Sequence, residues 1–80
     1  MTNTEIFNTV VTEIKKVADN TSLELTNDTI IEDIEEWDSL NNVDLEMALE
    51  NECKIGFEVG EFEELPSIGQ MVTALEKKLS

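Results

Sequence analysis

Apolar residues recur at helical spacing in three stretches of this chain, with polar and acidic residues between them. Thr2-Asn3-Thr4-Glu5 opens the first stretch as a hydroxyl residue followed three places on by glutamate, the form of a reciprocal helix cap. Ile6, Phe7, Val10, Ile14 and Val17 follow on one face, and Val11 widens the stripe. Lys15 and Lys16 fall in the last turn, where positive charge suits the helix dipole. This pattern predicts a first helix over residues 4–18 that buries its apolar face. The second stretch predicts a helix over residues 39–53 with two stripes. Leu45, Leu49 and Cys53 lie four apart, are joined by Ala48, and read as core-facing. Leu40, Val43 and Met47 lie on a neighbouring face, and spacing alone leaves open whether they edge the core or meet a partner. In the third stretch Ser67-Ile68-Gly69-Gln70 is another reciprocal cap, and Ile68, Met71, Val72, Leu75 and Leu79 form the buried stripe of a last helix ending near Leu79.

The segments between are less regular. Residues 19–37 keep no period, yet Leu23, Leu25, Ile30, Ile31, Ile34 and Trp37 recur through them. So long a structureless segment is rare in a small domain, so an ordered crossover with about one helical turn is expected, pinned to the bundle by these residues. Residues 54–60 read as a turn, with Ile55, Phe57 and Val59 directed partly inward and Gly56 and Gly60 supplying flexible backbone. Glu61-Phe62-Glu63-Glu64-Leu65 suits a short helix that Pro66 ends. The fold class is therefore all-α, a small four-helix bundle with a long first loop and a short third helix. The 80 residues are read as one domain, with a thin core, since a chain this short buries only about 60% of its unfolded surface.

Charge narrows the function. The formal net charge is −14, and residues 28–64 hold 14 acids against the single Lys54. Phosphates would be repelled, which excludes nucleic acid as a partner. A basic protein surface is the natural complement, while the bland reading is that charge serves solubility. No histidine is present, which removes the commonest general base and most zinc sites. No nucleophile–base pair or metal cluster is evident, so an enzyme is not expected. A calcium loop needs a central glycine, and residues 19–38 have none, which leaves only loose divalent binding to the acidic surface. The lone Cys53 has no evident arrangement of lysine, arginine or histidine to lower its pKa and reads as a small buried apolar residue. No apolar run is long enough to span a membrane, and no signal-peptide pattern opens the chain, so a cytoplasmic protein is expected.

The candidate chemistry lies at Trp37-Asp38-Ser39-Leu40. Asp38 is a good N-cap, which puts Ser39 at the first helical position with its hydroxyl toward solvent. A phosphate esterified there would sit at the positive end of the helix. Asp38-Ser39-Leu40, followed by Val43-Asp44-Leu45 and Leu49-Glu50, the short acidic piece 61–65 and the capped helix at Ser67-Ile68, resembles the acyl carrier protein family. The resemblance covers nearly all of the chain, most firmly residues 33–79.

That resemblance implies 4′-phosphopantetheine on Ser39, attached by a phosphopantetheinyl transferase, with Asp38 helping to position the magnesium ion of that transfer. The arm would hold acyl groups as thioesters for fatty acid, polyketide or related synthesis. Asp38, Leu40, Val43, Asp44, Met47 and Glu50 would meet acyl-transferring and condensing enzymes with basic docking surfaces, and the chain would act as a monomer. Phe57, Phe62 and Leu65 are candidates for lining an acyl groove, although plain core packing explains each of them. The sequence departs from the family in three places. Asp33-Ile34-Glu35-Glu36-Trp37-Asp38 is one residue longer than the family's usual approach to the serine and lacks its glycine. Asn51 stands where an acid is common, and Glu46 where an apolar residue is common. The longer loop points to a stand-alone carrier of a dedicated pathway. The alternative is an acidic helical interaction module with no prosthetic group, in which Ser39 is incidental.

Overall fold

The Thr2 hydroxyl accepts from the Glu5 N–H at 3.2 Å, and the Glu5 carboxylate accepts from the Thr2 N–H at 2.8 Å. These two bonds start α1 (Asn3–Ala18), and Asp19, in the left-handed region at φ 53°, ends it by donating to the Lys15 and Lys16 carbonyls. Further along the chain lie α2 (Ser39–Cys53) and α3 (Ile68–Leu79), with 3-10 turns at Ile31–Asp33 and Phe62–Glu64. This computed structural model describes residues 1–79. The predicted stripes become the core: Ile6, Val10 and Ile14 from α1, Leu45, Leu49 and Cys53 from α2, and Ile68, Met71, Val72 and Leu75 from α3. α1 packs against both other helices.

The crossover is ordered, and its bonding explains why. Its Asn27 and Thr29 carbonyls accept from the Gly69 and Ile68 N–H groups at 2.9 and 3.1 Å, and the Ile31 N–H donates to the Pro66 carbonyl at 2.9 Å. Ile30 and Ser67 thereby form an isolated antiparallel bridge. Successive residues of extended backbone point to opposite sides, so Ile31 is buried while Ile30 faces outward, contrary to its expected role as a pin. Ile34 is buried and Leu23, Leu25 and Trp37 pack half-buried against the core, as expected.

The all-α bundle with its long first loop is present, but the short third element differs from a helix over 61–65. It is a single 3-10 turn of three residues. Gly60 precedes it at φ 82°, in the left-handed region, and Pro66 follows. Proline disfavours helical geometry in the residue before it, and Leu65 sits at φ −116°, ψ 72°. Five residues between these two breaks leave room for a single α-helical bond, and the Glu64 and Leu65 N–H groups instead make i to i−3 bonds to the Glu61 and Phe62 carbonyls. Val59 is fully exposed rather than directed inward. It stands at the tip of a turn closed by the Glu58 N–H donating to the Glu61 carboxylate at 2.9 Å. Behind that tip, Phe57 and Phe62 meet edge to face at 5.2 Å, and Lys78 lies 5.4 Å from the Phe57 ring and 2.9 Å from Glu61.

Candidate functional site

Asp38 begins α2 from extended backbone, and its Oδ1 accepts from the Asn41 N–H at 2.9 Å. Asn41 Oδ1 answers by accepting from the Asp38 N–H at 3.0 Å. The cap is reciprocal, with asparagine doing what glutamate does at Thr2-Glu5. Sequence reading found Asp38 but missed Asn41, although an amide side chain three places after the cap was the available signal. Ser39 is the first residue of α2 and is exposed. First-turn N–H groups have no partner within their own helix. The box engages those of Asp38 and Asn41, and the positive end of the helix at Ser39 and Leu40 suits an anion.

An open groove of about 520 Å³ lies beside Ser39. Trp37, Asp38 and Ser39 line it, together with Asn42, Val43 and Glu46 of α2 and Glu32 and Glu63 of the two 3-10 turns. The Trp37 indole is half-buried and donates to Asn42 Oδ1 at 3.4 Å. Burial pushes the Glu46 carboxyl up, and the negative charges of Glu50 and Glu63 push it further. None of Phe57, Phe62 and Leu65 lines this groove. Phe62 is buried in the core and the other two pack against it.

Leu40, Val43 and Met47 are 72%, 51% and 61% exposed, so their face is turned to solvent rather than into the core. Asp44 is exposed between them. Glu50 is half-buried, and its Oε2 accepts from the Phe57 N–H at 2.8 Å, holding the turn after α2. Cys53 is buried, and its thiol is pushed up by that burial and then by Glu52 and Glu13, the opposite of an activated thiol. Among the described residues no group of His, Cys, Asp and Glu is placed to hold a metal ion. A second open groove, about 540 Å³, runs from Glu61 and Leu65 along α3. It shares no residue with the groove beside Ser39, and its one hydroxyl, on Thr73, donates to the Gly69 carbonyl at 3.0 Å.

No family model and no curated protein matches the chain. Among solved structures, the solution structure of the holo acyl carrier protein of Geobacter metallireducens is similar, with a TM-score of 0.80 and 34% identity over 91% of this chain and 84% of that one. With identity at that level across most of both chains, and the same small helical fold, this chain belongs to the acyl carrier protein family, whose members carry acyl groups rather than catalyse their reactions.

Proposed function

We propose that Ser39 is the attachment point of 4′-phosphopantetheine, and that the chain carries acyl intermediates as thioesters on that arm in fatty acid, polyketide or related synthesis. The observation that carries this reading is an exposed hydroxyl on the first residue of a capped helix, beside an open groove. The residues fit the group. A phosphodiester on Ser39 Oγ would lie against the positive end of α2, and the groove leaves room for an arm to lie alongside. The similar structure from Geobacter metallireducens is a holo protein, which supports the same reading.

In the loading step Ser39 Oγ attacks the phosphorus of coenzyme A that bears the arm. An O–P bond forms, the bond to the nucleotide portion breaks, and the hydroxyl proton passes to a base of the phosphopantetheinyl transferase. Asp38, the residue before Ser39, would help to position the magnesium ion of that transfer. Once bound, the arm supplies the thiol that holds the cargo.

The exposed stripe Leu40, Val43 and Met47, with Asp38, Asp44 and Glu50, forms the docking face for acyl-transferring and condensing enzymes with basic surfaces. Apolar contact gives such a face modest affinity, and charge speeds encounter without demanding tight binding. A carrier must also release, so its contacts stay weak and the tether raises the effective concentration of cargo. The reading takes the working state to be a monomer in the cytoplasm. The test is the intact mass of the chain after incubation with coenzyme A and a broad-specificity transferase. The wild type gains the arm and Ser39→Ala does not, although it keeps the same circular dichroism spectrum. A serine-less variant that still gains the mass overturns the assignment.

A further inference from the structure

We infer that Asn41 is a positioning residue that fixes the first turn of α2, and with it Ser39, against the end of α1; the inference rests on the reading that Ser39 is loaded. An asparagine side chain offers one acceptor oxygen and one two-hydrogen donor. Asn41 uses both ends. Its Oδ1 accepts from the Asp38 N–H at 3.0 Å, and its Nδ2 donates to the Val17 carbonyl at 3.3 Å, across 24 residues of sequence. Exchanging the oxygen and nitrogen would set donor against donor and acceptor against acceptor, so only this orientation satisfies both partners.

The Val17 carbonyl lies in the last turn of α1. The last carbonyls of a helix have no partner within it. At the end of α1 the Asp19 N–H serves Lys15 and Lys16, and the Asn20 N–H serves Lys15. Asn41 takes the Val17 carbonyl. One side chain thus closes the start of α2 and the end of α1 together. Ser39 lies two residues before it on the same turn, so the tie sets the position of the hydroxyl relative to the body of the bundle. Aspartate at 41 could still accept from the Asp38 N–H, but it has no hydrogen to give Val17 and would set a charge against a carbonyl. Alanine would lose both bonds.

The experiment uses the full chain as Asn41→Asp and Asn41→Ala beside the wild type, at a temperature where circular dichroism shows each folded. The two variants differ in charge and in capping and share only the lost donor to Val17. Carbon-13 NMR reads the Val17 carbonyl, and loading by a transferase with coenzyme A is measured as a function of carrier concentration. Both variants are expected to shift the Val17 carbonyl upfield and to raise KM for the carrier about fivefold, the weight of one hydrogen bond, with kcat little changed, because docking restores the geometry at saturation. A purely structural role would lower the melting temperature and leave KM in place. An unmoved Val17 carbonyl, or an unchanged KM in Asn41→Asp, overturns the inference. If Asn41→Ala does not fold, Asn41→Asp alone decides. A wild-type chain that gains no mass fails the loading reading itself and takes this inference with it, whereas a wild type that loads beside unaffected variants refutes Asn41 alone.

Discussion

Glu50 stands half-buried near the end of α2, with one carboxylate oxygen held by the Phe57 N–H at 2.8 Å. Helical spacing put it beside the exposed stripe, and the family resemblance implied a charge offered to a partner. Spacing could not show the bond to Phe57, because that partner lies seven residues on, past the end of the helix. The second bond of Asn41 was hidden for the same reason, since it reaches back to α1. The period of a helix reports which side a residue occupies, not what a turn or a distant helix end brings to it. For Glu50 the two roles can be separated by substitution. Glu50→Ala leaves the Phe57 N–H without its acceptor and is expected to lower stability by about 1 kcal/mol in urea unfolding at pH 7. Glu50→Gln keeps an acceptor oxygen and removes a like charge one turn from Glu46, so its midpoint should match or slightly exceed the wild type. Equal losses in the two variants would show that the charge, not the hydrogen bond, holds the turn. Glu50→Gln is then the folded protein in which the proposed pairing with basic partners can be tested alone.

The three α-helices were legible because each combines a cap with a full apolar stripe. Thr2-Glu5, Asp38 and Ser67-Gln70 mark their starts, and burial falls on the predicted faces. The 3-10 turn at Phe62–Glu64 was not legible as such, because five residues of helix-compatible sequence look alike whether or not flanking breaks let them complete an α-helical turn. The crossover shows a second limit. Its order comes from carbonyls that serve the first amides of α3, and backbone bonding of that kind leaves no pattern in side chains. Gly69 is its one trace. A Cβ at that position would lie 3.0 Å from the Asn27 carbonyl oxygen and 3.3 Å from the Asn27 Cβ. Alanine is the better helix former by about 1 kcal/mol, so propensity predicts that Gly69→Ala stabilises. Close approach predicts the reverse, because the backbone it would meet is tied down by the Gly69 N–H at 2.9 Å. The second effect should win, with a net loss of about 1 kcal/mol in chemical denaturation and faster amide exchange at Gly69. A more stable Gly69→Ala would mean that the crossover yields freely and is not a fixed cap of α3.

Across the whole molecule, a net charge of −14 on 80 residues sets the folded state against its own field, and residues 28–64 carry nearly all of it. Such repulsion favours expansion and weakens as charge is removed or screened. Acid acts on it in two stages of opposite sign. Burial and the charges of Glu50 and Glu63 hold the Glu46 carboxyl above its ordinary range, so in the folded chain it takes up a proton before it would in the unfolded one. Stability therefore rises as pH falls from neutral through that raised value. Glu5 and Glu61 behave oppositely. The backbone N–H groups of Thr2 and Glu58 hold their carboxyls low, with help from the Thr2 hydroxyl and from Lys78 respectively. Their contribution is present above the ordinary carboxylate value of about 4.3 and is lost as pH falls through the lowered folded values. The melting temperature should climb as pH falls from 7 toward the ordinary carboxylate range and fall again below that range. Magnesium acts on the same repulsion without protons. At pH 7 millimolar magnesium should raise the melting temperature by several degrees, about 4–8 °C for each kcal/mol of repulsion relieved in a domain of this size. Within the ordinary carboxylate range the gain should shrink, because fewer carboxylates remain charged. A melting temperature that ignores magnesium at pH 7 would show that the acidic surface is far enough apart, or well enough solvated, to leave stability to the core alone.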